Sequence, residues 1–472
     1  MGRATIGLVL LVFVVYVAFM IARPMPPGTE PVSYYEVDLT LWTDSDWARV
    51  TAPGMRYLSW TQHDAEGLTP LCGWDGTRLL LDQSFQDEGD VHPKAVTLRY
   101  AVAPGMITRP LTITCERGDW GSSRVTATVR SATGTVGTLG TLHDRLIPDD
   151  ARNTVSSTLD LAPLLVGQRQ EARIARLDIE KRVLAFYYPW YSVEDWESAY
   201  LRDTPAIPYN SGDPVAIARH IAQAQGAGID GFISSWWGPE DMTDHNLARL
   251  LDIAEERQFL VTVNFETLAG PDDTALDRQT IVDWLAYLIE TYGEHPAFMH
   301  YDGRPVVFIW LSFDVPLCTW AEILETLRAR ELELYAVGYG WTASLDVFDA
   351  LHEYGLNGYP DMARLYGIVS PHPRHHALVS PGSVPRPWIA STQAGYDDTL
   401  LPGRPGYVQP RNGGDYYRST WEGALSSDPD WVLVTTWNEW WEHTHIEPSV
   451  TYSTTYTTIT RQYADRWRAT DP

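Results

Sequence analysis

Two glutamates three residues apart, Glu439 and Glu442, stand among Trp437, Trp440 and Trp441 directly after the apolar run Trp431-Val432-Leu433-Val434-Thr435-Thr436. Breaking a glycosidic bond takes one group that protonates the departing oxygen and another that assists attack at the anomeric carbon. Two carboxyls do both jobs if their surroundings split their proton affinities, and a partly dry, tryptophan-lined pocket raises the one that must stay protonated. Three residues of separation on a helical turn sets β-carbons about 5 to 6 Å apart, close enough for one charge to act on the other. Glu439 and Glu442 are therefore the candidate catalytic pair, and the spacing leaves open which one donates. The plainer reading, a solvated helix face, is set aside because of the preceding apolar run and the tryptophans.

Other chemistry-bearing residues recur where short apolar runs end. Tyr188, Trp190 and Tyr191 follow Val183 to Tyr187; Trp236 and Trp237 close the run from Gly231; Asn264 and Glu266 close the run from Leu260. Trp310, Tyr359, Tyr396, Asp397 and Asn438 stand in the same relation to later runs. Aromatic faces suit the apolar faces of sugar rings, so these twelve are candidate substrate contacts. Glu442, His443, His445 and Glu447 also hold metal-ligand chemistry within six residues. Histidines at i and i+2 do not share a helix face, however, and the spacing is not that of His-Glu-x-x-His, so no metal is assigned.

Eight runs read as strands: Val183 to Tyr187, Gly231 to Ser235, Leu260 to Phe265, Pro305 to Trp310, Leu334 to Gly338, Leu356 to Tyr359, Trp388 to Thr392 and Trp431 to Thr436. Helical patterns lie between most of them, for example Asp213 to Ala227 and Thr280 to Tyr292. The expected class is α/β, a TIM-like (β/α)8 barrel over residues 179–472, whose strand ends all open on one mouth. Residues 31–178 show short alternating runs such as Ala95 to Val102 and Arg124 to Arg130, and read as a small all-β sandwich accessory domain without a catalytic constellation, a spacer and packing partner in preference to a glycan-binding module. Residues 1–30 carry the apolar run Ile6 to Ala22, flanked by Arg3 and Arg23, then a Pro/Gly-rich linker. That leader reads as an uncleaved signal-anchor in preference to a cleaved signal peptide, which puts the body of the protein on the extracytoplasmic side with membrane contact through this segment alone.

A formal charge of -26 argues against nucleic acid or an anionic membrane surface as partner. The 20 Trp and 25 Tyr fit a protein that handles oligosaccharide or polysaccharide. Three cysteines make no disulfide framework, although Cys72 and Cys115 share the β-rich region and are a possible pair.

Trp437-Asn438-Glu439-Trp440-Trp441-Glu442, with Thr444, Ile446 and Glu447 after it, resembles the signature of glycoside hydrolase family 99, the endo-α-mannosidases and endo-α-mannanases, and of the related WbsX-like domains. The Tyr187 to Tyr191 opening, the Gly228 to Trp237 segment, Asn264-Phe265-Glu266 and Gly395-Tyr396-Asp397-Asp398 add to the likeness over residues 182–450. The resemblance implies retention without an enzyme-bound sugar ester and without metal or organic cofactor. Glu439 would help the substrate's own 2-hydroxyl attack C1 to give a 1,2-anhydro sugar. Glu442 would protonate the leaving oxygen and then activate water, Glu266 would touch the sugar beside the cleaved bond, and Trp237 would carry the neighbouring sugar. One departure stands out: where the family's hydrolases carry His-Glu-Gly-Thr-Gln, this chain has Trp441-Glu442-His443-Thr444-His445, with imidazole in place of glycine. That leaves α-mannan specificity open, with a role in polysaccharide assembly or as a non-catalytic glycan-binding surface protein as the alternatives.

Overall fold

The structure is a computed structural model that describes residues 179–469 apart from 271–273, 340–346, 357–385 and 404–405, preceded by ten strands between Thr29 and Ala175. The expected leader, Cys72 and Tyr359 lie outside the described residues. Among the described residues no helix is long and apolar enough to cross a membrane.

Eight parallel strands form the main sheet: β1 (Arg182–Tyr187), β2 (Gly231–Trp236), β3 (Leu260–Phe265), β4 (Arg304–Ile309), β5 (Tyr335–Tyr339), β6 (Ala350–His352), β7 (Ile389–Gln393) and β8 (Trp431–Thr435). Their spatial order is β6-β5-β4-β3-β2-β1-β8-β7. The barrel is thus nearly closed, with a ladder missing between β6 and β7. Side chains span that seam: Ser391 donates to the Glu353 carbonyl, Thr435 Oγ1 donates to the Tyr354 carbonyl at 2.9 Å, and the Leu356 N–H donates to Gln393 Oε1 at 3.0 Å.

Helices α1 (Pro214–Gly226), α2 (Met242–Glu256), α3 (Arg278–Tyr292), α4 (Leu317–Ala329), α5 (Asp415–Ser426) and α6 (Thr455–Arg468) surround the sheet. The first three start on aspartate caps, Asp213, Asp241 and Asp277, whose carboxylates accept otherwise unpaired N–H groups of the first turn.

Strand alternation sorts the core into two sets. Leu184, Phe186, Ile233, Val306, Phe308, Val337, Ala350, Ile389 and Leu433 fill the barrel interior, while Val183, Ala185, Phe232, Val261, Val263, Val307, Ala336, Val432 and Val434 pack outward with helix residues such as Ile217, Leu250 and Ile281. The same parity carried past the strand ends decides which residues reach the mouth. Tyr188, Glu266, Trp310 and Tyr354 continue the inward set. Trp236, one residue out of phase, falls in the outer set.

The expected sixth strand, Leu356 to Tyr359, is displaced: the strand is Ala350–His352, and Leu356 lies beyond it. Three residues, Ala-Leu-His, offer neither length nor β-branched chains, so the run carries no recognisable strand pattern.

Before the barrel, the strands form two antiparallel sheets. One has six strands, with Thr29–Thr43 paired to Lys94–Val102, Ser123–Val129 and Gln170–Ala175; the other has four. Val37, Leu39, Leu41, Val96 and Leu98 of the first and Val50, Ile113 and Cys115 of the second are buried in one contiguous apolar cluster.

Candidate active site

The segment after β8 is a looped turn, and the expected helical turn is absent there. Thr444 N–H donates to the Glu439 carbonyl at 3.1 Å and His443 N–H to the Trp440 carbonyl at 3.2 Å, while Ile446 and Glu447 return to the Trp437 carbonyl. His443 makes the reversal with φ +54°, a left-handed backbone where glycine is the easier residue. Its imidazole turns away from the acid pair, packing on His445 with ring centroids 5.1 Å apart and approaching the Tyr452 hydroxyl at 3.1 Å. The glycine-to-histidine departure therefore fills space next to α6. Arg411, buried, holds the loop by donating to the His443 and His445 carbonyls at 2.7 and 2.8 Å from between the faces of Tyr452 and Tyr456.

Asn438 locks this loop to β1. Its Oδ1 accepts the Tyr188 N–H at 2.7 Å, and its Nδ2 donates to the Tyr188 carbonyl at 2.9 Å and to the Tyr209 hydroxyl at 3.2 Å. The side chain is fully buried, so it positions its neighbours and does not reach a sugar, contrary to its expected role.

Glu439 lies 4 % exposed, accepting from the Tyr191 hydroxyl at 3.1 Å and the Trp441 N–H at 3.0 Å. Burial, and then the charge of Glu442, push its carboxyl up to about 8 against those hydrogen bonds. The looped turn thus achieves the charge coupling expected of a helix face. Glu442 is half-buried, with Oε1 3.1 Å from the Tyr396 hydroxyl and its carbonyl accepting the Asp397 N–H at 2.9 Å. Tyr396 and Asp397 belong to a small antiparallel pair with Val408–Gln409 that follows β7. Asp397 itself turns to Arg202 at 3.1 Å and to Thr399, which places its carboxylate in a salt bridge and a local turn.

The third acid, Glu266, accepts from Ser235 Oγ at 2.6 Å and Asn264 Nδ2 at 3.1 Å, and burial raises it to about 7. Trp237 Nε1 donates to the same Ser235 hydroxyl at 3.2 Å, which ties the Trp237 ring to the Glu266 carboxyl. Tyr188 joins all three acids: burial and then the charges of Glu439, Glu266 and Glu442 raise its phenol far above the ordinary range. Its hydroxyl donates to the Tyr354 hydroxyl at 2.8 Å.

Half-buried rings complete the wall. Trp190 lies nearly parallel to Trp441 at 6.0 Å and edge-on to Trp237 at 6.2 Å, and Trp310 packs edge-on against Tyr354 at 4.7 Å. Trp236, by contrast, is fully buried among Phe265, Trp284 and Tyr287 and donates to Asp244 at 2.9 Å, so it belongs to the core.

The potential metal ligands diverge. Glu447 meets His220 and Tyr209, His445 stacks on Trp440 and faces Asp203, and Glu442 faces Tyr396. Among the described residues no group of three His, Cys, Asp or Glu side chains is arranged to hold a metal ion.

Sequence reasoning passed over Tyr354 and Glu353, and it named Asp398 only within the Gly395 to Asp398 run, without a role of its own. Tyr354 and Glu353 follow the strand that was misplaced. Asp398, 4 % exposed, sits next to named residues, but its contact with the Tyr396 hydroxyl is a two-residue local bond with no sequence signature.

A (β/α)8-type barrel whose mouth gathers three buried or half-buried acids among tryptophan and tyrosine has the equipment of a glycoside hydrolase. Residues 203–335 match the family model described as Glycosyl hydrolase family 99. The glycoprotein endo-alpha-1,2-mannosidase of Rattus norvegicus is 26% identical over 325 residues, covering 57% of this chain and 68% of that protein. A glycoprotein endo-alpha-1,2-mannosidase-like protein of Mus musculus is 28% identical over 276 residues, covering 55% of this chain and 59% of its own length. The solved GH99 endo-alpha-mannosidase from Bacteroides thetaiotaomicron shares the fold at a TM-score of 0.54 and 24% identity, over 61% of this chain and 97% of that one. The chain shows homology to glycosyl hydrolase family 99 and, at distant identity, to endo-alpha-mannosidases.

Proposed function

We propose that this protein is a retaining endo-glycosidase that cleaves an α-linked, manno-configured glycan through the substrate's own 2-hydroxyl. The observation that carries the reading is Glu439, buried beside Glu442 with its proton affinity raised. A carboxylate of that basicity is a better partner for a sugar hydroxyl than an ordinary one, because proton transfer is most effective when the base is tuned near the working pH. Glu439 takes the 2-hydroxyl proton as that oxygen attacks C1, and Glu442 gives its proton to the leaving oxygen. The product of this half is a 1,2-anhydro sugar. In the second half a water opens the three-membered ring at C1, Glu442 takes the water's proton, and Glu439 returns a proton to O2. Two inversions at C1 give net retention.

Glu266 and Trp237, linked through Ser235, suit the sugar next to the cleaved bond, the acid for hydroxyls and the ring for an apolar face. The mannose preference rests on the endo-alpha-mannosidase relatives and on the mechanism, which needs a 2-hydroxyl able to approach C1 from the face opposite the leaving group. The N-terminal sheets serve as an accessory sandwich, and the leader places the enzyme outside the cytoplasm as a membrane-anchored protein. Proton NMR of α-mannooligosaccharide digestion tests the chemistry: the first product formed is expected as the α-anomer, and a β-anomer appearing first overturns it. Intact mass of the mature protein tests the anchor, since loss of the first twenty-odd residues removes it.

A further inference from the structure

The two acids have a seating problem. Burial and the charge of Glu442 raise the proton affinity of Glu439, yet the reaction proposed above needs a proton on Glu442. A counterweight stands on the far side of Glu442. The Tyr396 hydroxyl lies 3.1 Å from Glu442 Oε1 and 3.0 Å from Asp398 Oδ2, one proton between two carboxyl groups. Asp398 is buried, and its Oδ1 accepts the Tyr407 N–H at 2.6 Å, which fixes Oδ2 toward Tyr396. The backbone bond from Asp397 N–H to the Glu442 carbonyl holds the two segments in register.

We propose that Tyr396, backed by Asp398, is a positioning residue that seats the proton of the acid pair on Glu442. While the Tyr396 O–H donates its hydrogen bond to Asp398, its lone pair faces Glu442, and a lone pair against a carboxyl oxygen favours the protonated carboxyl, whose O–H donates back. Once Glu442 has protonated the leaving oxygen, the Tyr396 O–H rotates to Glu442 Oε1 and stabilises the carboxylate that takes the proton from water. Tyr396 keeps its own proton throughout; only its hydrogen bond changes partner. Among the described residues, the other groups around Glu442 do not alternate in this way. Glu439 acts from the same loop as a like charge, Tyr188 and Tyr354 act from β1 and β6 with phenols held fully protonated, Arg202 is engaged by Asp397, and His443 turns toward Tyr452.

The inference rests on Glu442 as the acid, and the test separates the two claims. The pH profile of kcat/KM is measured on the full chain with an α-mannooligosaccharide and with the 4-nitrophenyl glycoside of an α-linked mannose disaccharide, whose phenolate departs with little need of a proton. Tyr396→Phe removes the lone pair that holds the proton on Glu442, so the alkaline limb moves down in pH, by about one pH unit. Asp398→Asn frees the Tyr396 proton for Glu442, so the same limb moves down. Both variants lose on the order of 10- to 100-fold on the oligosaccharide and less on the nitrophenyl substrate. A residue that merely supports the fold has no reason to lower the limb in both variants. A limb that stays put, or that moves up, overturns the inference. If Tyr396→Phe melts early, Asp398→Asn alone decides: a lower limb supports the inference, and an unmoved or higher limb overturns it. Normal turnover by Glu442→Gln, measured alongside, sinks the reading of Glu442 itself and is a different result.

Discussion

Three carboxyls beyond the strand ends, Glu266, Glu353 and Glu439, are held above their ordinary range chiefly by burial. Glu353 makes the cleanest test of what such burial does, because the proposed mechanism makes no use of it. Burial raises it to about 7 against hydrogen bonds from Tyr339 and the N–H groups of Tyr354 and Gly355. A carboxyl whose folded value lies above its unfolded value contributes stability that is complete below the unfolded value and is lost as pH rises through the folded one. The window therefore runs from about pH 4.5 to pH 7. Glu353→Gln carries no such penalty, so its melting temperature relative to the parent protein should climb across that window, by the equivalent of ~1–3 kcal/mol. A constant difference between pH 5 and pH 8 contradicts the assignment. At this scale the catalytic candidates were legible in the sequence, since acids among tryptophans after a β-branched run are compositionally unusual. Asn438 and Asp397 were legible as neighbours of chemistry but not as clamps, because their partners, Tyr188 and Arg202, lie 250 and roughly 200 residues away in the chain.

At the scale of elements, the site depends on how β1 and β8 hold each other above the barrel. Their ladder ends at Ala185 and Val434, and above it Trp437 N–H donates to the Phe186 carbonyl while Asn438 grips both backbone groups of Tyr188. Asn438→Ala leaves the Tyr188 N–H and carbonyl buried without those partners, which costs about 2–4 kcal/mol and loosens the residue next to Glu439. Chemical denaturation should report that loss, and kcat should fall more than KM rises. Unchanged stability contradicts the clamp. Seven of the eight strands were readable because Val, Ile, Phe and Leu runs of five or six residues between polar turns have few other interpretations. The seventh-to-sixth seam was not, since Ser391, Thr435 and Gln393 close it by side chains where a ladder would have left a strand pattern. The mistaken expectation for Trp236 had a readable remedy. Counting by twos from Ile233 reaches Ser235 and Trp237 on the inward face and leaves Trp236 facing the helices.

At the scale of the molecule, one mouth of the barrel gathers the candidate site among the described residues. The barrel supplies a rigid ring of strand ends, and the loops after β1, β2, β3, β7 and β8 deliver Tyr188, Trp237, Glu266, Tyr396 and the acid pair to it. The class of fold and the class of enzyme were both accessible from sequence because each rests on repeated features. Spacing left the division of labour between the acids open and only the family resemblance assigned it, because the burial of Glu439 and the contacts of Tyr396 with Glu442 and Asp398 have no local pattern. The most direct test is therefore kinetic: kcat/KM of Glu439→Gln and Glu442→Gln on an α-mannooligosaccharide and on the matching 4-nitrophenyl glycoside. Both variants are expected to lose about 10²–10⁴-fold on the oligosaccharide, with Glu442→Gln largely restored on the nitrophenyl substrate and Glu439→Gln not restored. Parent-like cleavage of the oligosaccharide by either variant contradicts the account.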